Sequence, residues 1–265
     1  MQKKQRLLLL AGAVCILLGC LSLLLGKPAP ATEKTEQPPM LSQLDTGVRE
    51  AGQGAWTFSF STQDFLTCCN GIYRQEQGRD FFAGPDNWSI LTYPNGIHSD
   101  GPTTCYTFSP DPELPCAPTV TLYCPEGEDR VAEITVDFDE HGYTPAFYES
   151  YRQMCVYALK TVLPETTDEV LSAVFRSLDT LGTAYLFEAD QGYSHGARPA
   201  VLAVRDGIGV YPYYAIGDWW YFCIIPVTED LVRDFQEGGT VIYEIPDSGD
   251  FSGVSAADWL RRRTD

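Results

Sequence analysis

Two neighbouring stretches, residues 119–124 and 130–138, constrain the fold most strongly because apolar and polar side chains alternate along both of them. In the second stretch, Ile134 and Val136 alternate with acidic residues and a threonine. Alternation with a period of two places the apolar side chains on one face of a β-strand. The segment 125–129 between the stretches is rich in turn-forming residues. The pattern therefore predicts an antiparallel hairpin with one apolar and one solvated face.

Helical patterns flank this hairpin. Ser61 is predicted to cap a helix that ends near Gly78, and its apolar residues recur every three to four positions. Thr144 precedes Pro145 and begins a second helix, while a capping box at Thr166 begins a third. Gly182 is predicted to end that third helix, and a short fourth helix follows Thr228. The other predicted strands cover residues 56–60, 88–93, 105–108, 184–189, 200–205, 208–214, 219–225 and 240–245.

This order of elements predicts an α+β protein with antiparallel sheets covered by helices. The elements can be grouped into two similar helix-plus-four-strand halves, over residues 55–140 and 144–245. Their order resembles the tandem arrangement of the beta-lactamase inhibitory protein fold. The resemblance implies two consecutive helix-and-sheet units and carries no function with it.

The N-terminal segment 7–26 contains no charged residue and follows Lys3, Lys4 and Arg6. A helix of about 20 apolar residues is long enough to cross the hydrocarbon core of a membrane. The basic residues predict that residues 1–6 stay in the cytoplasm and that the rest of the chain is exported. In this first interpretation the segment is an uncleaved transmembrane signal anchor.

Two other interpretations of the same segment remain open. The run Leu17-Leu18-Gly19-Cys20 resembles the lipobox of bacterial lipoprotein signals, and this resemblance implies that Cys20 is lipidated and becomes the mature N-terminus. Alternatively, a signal peptidase cleaves after Ala29-Pro30-Ala31 and releases the protein. All three interpretations place the chain from about residue 32 onward outside the cytoplasm.

Residues 27–54 are rich in Pro, Glu, Thr and Gln, which predicts a flexible linker before an extracytoplasmic domain at 55–265. The anchor region Lys3–Gly26, the polar tether and a lone α+β domain that opens with a strand and a helix at 62–77 resemble membrane-anchored extracytoplasmic proteins of Gram-positive bacteria. The resemblance implies a single-pass or lipid-anchored protein of the cell membrane, and it implies no particular activity.

Charge and cysteine content exclude several classes of function. The formal net charge of −18 disfavours binding to nucleic acid, because an acidic surface repels phosphate backbones. Seven of the nine cysteines lie outside the apolar segment, and no CxxC or Cys/His spacing predicts a zinc site. We expect at most one disulfide. The pairing state is left open for Cys68, Cys69, Cys105, Cys116 and Cys124, whereas Cys155 and Cys223 are predicted to be buried with Cys69 on apolar faces.

The sequence contains partial matches to one catalytic motif and one metal-binding motif, and each lacks features that the motif requires. Residues 192–196 match the G-x-S-x-G pattern, but a strand rather than a helix is predicted after Ser194, and no histidine follows His195. Residues 137–142 resemble the start of a calcium loop but lack the later ligands. The three histidines, His98, His141 and His195, are scattered in turns. We therefore expect no cofactor and no metal, and no catalytic residue is identified.

A dense aromatic cluster is the main candidate binding site. In a strand, Trp219 and Tyr221 share one face while Trp220 and Phe222 share the other. One set packs against the helices and the other forms a platform for a sugar or peptide. The candidate platform residues are Tyr211, Tyr213, Trp219 and Tyr221. The sequence thus favours a non-catalytic binding module with a cell-envelope glycan or protein partner, and the alternatives are an envelope hydrolase with an unrecognised carboxylate site and a structural subunit of an envelope complex.

Overall fold

The computed structural model describes residues 44–52, 55–82, 88–94, 101–108, 118–139, 144–186, 199, 201–215, 219–249 and 251. Within these ranges it describes only the backbone at 138–139, 179–186, 213–215 and 219–220. The apolar segment 7–26, including Cys20, lies outside the described residues. In the part of the chain that is described, no helix has the length and apolarity needed to cross a membrane.

The described strands form a two-stranded hairpin and one eight-stranded sheet. The strands are β1 Val48–Glu50, β2 Trp56–Phe58, β3 Trp88–Tyr93, β4 Thr103–Phe108, β5 Thr119–Pro125, β6 Glu133–Asp139, β7 Val201–Arg205, β8 Ile208–Ala215, β9 Trp219–Pro226 and β10 Val241–Glu244. The hairpin pairs β1 with β2 in antiparallel orientation. The large sheet has the order β10-β7-β8-β9-β6-β5-β4-β3, and all neighbouring strands in it are antiparallel except β10 and β7.

The described helices are α1 Thr62–Gln77, α2 Pro145–Val162, α3 Asp168–Leu186 and α4 Glu229–Glu237. Their starts follow local sequence signals. The Ser61 hydroxyl accepts a hydrogen bond from the backbone N–H of Asp64, and the Asp64 carboxylate accepts one from the Ser61 N–H. The predicted cap is therefore a complete capping box. Gly78 ends α1 in the left-handed conformation, with a φ of 73°.

The α+β class is confirmed, and one continuous sheet joins the two predicted halves. The junction is the antiparallel pair β6–β9, in which Ile134 lies opposite Ile224 and Val136 opposite Phe222. The second group of strands also differs from the prediction. Residues 184–186 belong to α3 rather than to a strand, so Gly182 does not end the helix. Residues 187–189 lie outside the described residues.

The folded part begins earlier than predicted. Val48–Glu50 lie inside the predicted linker over residues 27–54, but they form β1 and pair with Trp56–Phe58. Leu44 is also buried and belongs to the hydrophobic core. The polar composition was misleading here because a three-residue strand needs few apolar side chains once a neighbouring strand supplies its hydrogen bonds.

The core lies between the sheet and the helices α1, α2 and α3. From the sheet, Val136 and Phe222 contribute to it, and the Phe222 ring lies 5.8 Å from that of Phe175 on α3, centroid to centroid. Since side chains alternate along a strand, every residue next to these in β6 and β9 points to the opposite face. That opposite face contains the candidate site.

Candidate binding surface

The face of the central strands that points away from the helices is unusually polar, and we call it the polar face. It includes the side chains that alternate with the core residues of β5, β6, β9 and β8. Neighbouring positions across the strands are paired directly, so these side chains form continuous rows. The members other than apolar Pro125 and Ile225 whose side chains are described are Thr119, Thr121, Tyr123, Glu133, Thr135, Asp137, Tyr221, Cys223 and Tyr211.

On β6, the side chains of the polar face become more buried from Asp137 back towards Glu133. Asp137 is only half-buried, whereas Thr135 is 0% exposed and Glu133 is 1% exposed. On the neighbouring strand, Thr121 and Tyr123 are buried as well. The prediction of a solvated face for this hairpin is therefore wrong over most of its length. Because β6 pairs with β9, the hairpin lies in the middle of the sheet and has neighbours on both sides.

Asp137 occupies the accessible end of the polar face. It lies opposite Thr119 on β5 and opposite Tyr221 on β9. The Thr119 hydroxyl donates a hydrogen bond to the Asp137 carboxylate. Burial nevertheless raises the pKa of Asp137 to about 6, because the loss of hydration outweighs the hydrogen bonds that the charged form accepts. Asp137 is thus a partly desolvated carboxylate that remains accessible.

The strand register places all four predicted platform positions on this same face. Tyr213 lies opposite Tyr221, Trp219 lies opposite Asp139, and Tyr211 lies opposite Cys223. The structure describes the Tyr211 and Tyr221 side chains, which are half-buried rather than fully exposed. The other two side chains lie outside the described part. Of the second aromatic set, Phe222 lies in the core, and the Trp220 side chain is outside the described part.

A second group of polar side chains lies at the buried end of the polar face. Burial raises the pKa of the Tyr211 phenol well above its usual value, and the neighbouring Cys223 and Glu133 raise it further. The pKa of the Cys223 thiol is also raised, first by burial and then by the negative charge of Glu133. Burial raises the pKa of Cys105 to about 12, with Glu133 adding to the shift. Glu133, Cys105 and Cys223 are therefore buried close together, with the half-buried Tyr211 at their margin.

The described cysteines are unsuited to nucleophilic catalysis. A reactive cysteine needs a depressed pKa, because the thiolate is the nucleophile. Burial instead raises the pKa of Cys69 and Cys124 to about 12, as it does for Cys105. Five of the six described cysteines are buried, including Cys69, Cys155 and Cys223. Burial of these three is as predicted, but Cys223 lies on the polar face and not on an apolar one. Cys116 lies outside the described residues.

The remaining sequence motifs lie wholly or partly outside the described residues. Residues 192–196 with Ser194, and all three histidines, lie outside the part of the chain that the structure describes. Within the described ranges, no group of three or more His, Cys, Asp or Glu side chains is arranged to hold a metal ion. The segment 137–142, which resembles only the start of a calcium loop, begins inside β6, where Asp137 pairs with neighbouring strands.

Sequence reasoning placed Asp137 and Glu133 on a solvated strand face and gave them no role in binding. Their alternation with Ile134 and Val136 already predicts that they share one face. The neighbour that distinguishes Asp137 is Tyr221 of β9, which lies more than 80 residues later in the chain. That long-range pairing has no local signal.

In comparisons with known proteins, no family model, curated protein or solved structure matches this chain. Its class therefore rests on its own architecture, an α+β domain built on one large mixed sheet.

Proposed function

We propose that this protein is a non-catalytic binding module at the outer face of a cell membrane, and that the polar face around Asp137 binds a neutral cell-envelope glycan. The main observation in support of this proposal is the position of Asp137. It is half-buried, hydrogen-bonded by Thr119, and directly opposite Tyr221.

The chemistry around Asp137 suits a carbohydrate. Binding sites for small ligands combine apolar and aromatic surface with a few placed polar groups that fix orientation. A carboxylate accepts hydrogen bonds from sugar hydroxyl groups, and an aromatic ring offers an apolar surface for the C–H face of a sugar. The register brings the positions of Tyr213 and Trp219 to the same end of the sheet as Tyr221.

Charge favours a neutral ligand over an anionic one. The chain has a formal net charge of −18, so its field repels polyanions such as phosphate-rich polymers. An uncharged glycan encounters no such repulsion. The proposed location rests on the uncharged segment 7–26 with its preceding basic residues, and Cys20 offers a lipid anchor as an alternative.

One observation favours an envelope hydrolase as a second candidate. A carboxyl group with a pKa of about 6 is suited to general acid catalysis near neutral pH. Glycoside hydrolysis needs a second carboxyl group, usually within about 10 Å of the first. Glu133 shares the face with Asp137, but it is four residues along the strand, or roughly 13 Å at the usual rise per residue. The backbone position of Asp139 is nearer, two residues or roughly 7 Å along the same face, and it is the position that a hydrolase would use. Among the side chains that the structure describes on this face, Asp137 has no second carboxyl group at that distance, so binding is the first candidate function.

The test is a titration of the full-length protein, in detergent, with a neutral N-acetylglucosamine tetramer. We expect Asp137→Asn to weaken binding about tenfold or more, because hydrogen bonds to charged groups contribute about 1.5–3 kcal/mol. Tyr221→Ala should also weaken binding, because the sugar loses the aromatic surface on which it packs. Glu237→Gln, which removes a carboxylate from the exposed face of α4, is the matched control and should bind normally.

Chromatography of the same mixtures separates the two candidates. Binding without cleavage supports the module, whereas release of shorter oligosaccharides by the wild type and not by Asp137→Asn supports the hydrolase. Equal binding by the wild type and by both site variants would exclude this surface.

A further inference from the structure

Three large apolar side chains of the described part of the chain are exposed, and all three belong to the edge strand β3. Ile90 is 62% exposed, Leu91 is 53% exposed and Tyr93 is 41% exposed. One edge of β3 pairs with β4, and no described strand pairs with the other edge. The outer edge of β3 therefore combines backbone hydrogen-bonding groups that have no described strand as partner with apolar side chains on both faces.

The opposite edge of the sheet is protected in ways that β3 is not. The strand at that edge, β10, has only four residues, and it contains Glu244. Short edge strands and charged side chains are common devices against unwanted strand pairing. By contrast, β3 has six residues and includes neither a charged residue nor a proline.

The lack of charge extends inward from this edge. No Asp, Glu, Lys or Arg occurs in β3, β4 or β5, although the whole chain has a formal net charge of −18. Two copies of such an acidic protein repel each other over most of their surface. At the β3 edge they can approach without bringing like charges directly opposite each other on the paired strands.

We propose that the β3 edge is a self-association surface, where β3 pairs in antiparallel orientation with β3 of a second copy around a two-fold axis. Such an interface is isologous, so the same strand supplies both sides. With Leu91 on the axis, Leu91 lies opposite its counterpart, Ser89 opposite Tyr93, and Ile90 opposite Thr92. Directly opposed residues share a face, so the two sheets continue into each other.

The expected dimer is weak in solution. A contact limited to one six-residue strand from each copy is smaller than the about 1,200 Å² typical of stable complexes. We therefore expect dissociation in the micromolar range or weaker. Copies held on one membrane would meet at a higher effective concentration, which strengthens the same contact.

Sedimentation velocity of the full-length chain in detergent tests the proposal. The wild type should show a concentration-dependent dimer, and Leu91→Lys should weaken it at least tenfold, because a charge is placed on the two-fold axis opposite its own copy. Thr67→Lys adds the same charge at an exposed position on α1 and should dimerise like the wild type. Circular dichroism establishes that both variants remain folded.

A second measurement uses cysteine cross-linking. Under mild oxidation, Leu91→Cys should give a disulfide-linked dimer in greater yield than Thr67→Cys or the wild type, since opposed positions on paired strands are about 5 Å apart at Cβ. A wild type that stays monomeric up to about 1 mM would overturn the proposal. So would a dimer that persists in Leu91→Lys, because it would form elsewhere, including through residues 7–26.

Discussion

The ammonium group of Lys160 lies 2.5 Å from a carboxylate oxygen of Glu76, and this ion pair connects α2 to α1. Lys160 also lies 2.9 Å from Asp168 at the start of α3. A single cation thus joins the three helices that cover the sheet. The Tyr157 hydroxyl donates a further hydrogen bond of 2.7 Å to Glu76.

Replacement of Lys160 should therefore destabilise the protein. We expect Lys160→Met to lower the free energy of unfolding by about 1–2 kcal/mol, since the lysine side chain is only 24% exposed and two carboxylates lose their partner. Urea unfolding followed by circular dichroism measures the change. The control is Arg233→Met, which removes an exposed ion pair with Asp230 within α4 and should cost less than about 0.5 kcal/mol. Equal losses in the two variants would contradict the bridging role.

Asn70 should be important for the turn that follows α1. Its side-chain oxygen accepts hydrogen bonds from the backbone N–H groups of Phe81 at 2.9 Å and Phe82 at 2.8 Å. Both phenylalanines are buried, so Asn70→Ala leaves two buried donors unsatisfied and should lower the free energy of unfolding by about 2–4 kcal/mol. Thermal or urea unfolding is the measurement.

The stability of Asn70→Ala is best compared with that of Asn70→Asp. It keeps an acceptor oxygen for both N–H groups, so it should lose less stability than the alanine variant at neutral pH. If the aspartate variant is the less stable of the two, acceptance of these two hydrogen bonds is not what Asn70 contributes.

The close approach of strands and loop at Gly209 gives a third prediction. A Cβ atom added there would lie 2.7 Å from a methyl carbon of Val227 and 3.0 Å from one of Leu202. We expect Gly209→Ala to lower the free energy of unfolding by about 1–3 kcal/mol through overpacking. Gly52→Ala meets nothing within 4 Å and should be close to neutral. If Gly209→Ala leaves the free energy of unfolding unchanged, the neighbouring side chains can move aside.

The sequence predicted those parts of the fold that have local causes. The capping box of Ser61 and Asp64, and the left-handed Gly78, lie within a few residues of the boundaries that they set. The hairpin of β5 and β6 followed from alternation alone. Gly182 misled because one glycine inside a helix costs only about 1 kcal/mol, which packing elsewhere can offset.

The candidate site could not be predicted in the same way. Alternation identifies which residues share a face, but it does not indicate what covers that face. Glu133 and Asp137 follow the same pattern, yet one is 1% exposed and the other is half-buried. The difference depends on the pairing of β6 with β9 and on the neighbours it brings, and no local signal encodes a contact between residues so far apart in the chain.

The raised pKa of Asp137 makes a prediction about stability and pH. In the unfolded chain this carboxyl group has a pKa of 3.8, whereas in the folded protein its pKa is about 6. Between these two values the folded state binds more protons than the unfolded state. Stability contributed by protonated Asp137 is therefore complete below about pH 4 and is lost as the pH rises through 6.

Asp137→Asn should abolish this dependence, because an amide resembles the neutral carboxyl group at every pH. The difference in unfolding free energy between Asp137→Asn and the wild type should accordingly grow in favour of the variant from pH 4 to pH 7, by of order 1 kcal/mol after allowance for partial exposure. Urea unfolding of both proteins at a series of pH values gives that difference directly. A difference that stays constant across the range would show that Asp137 titrates as an ordinary surface carboxylate. It would also remove the hydrolase alternative, which depends on a proton held near neutral pH.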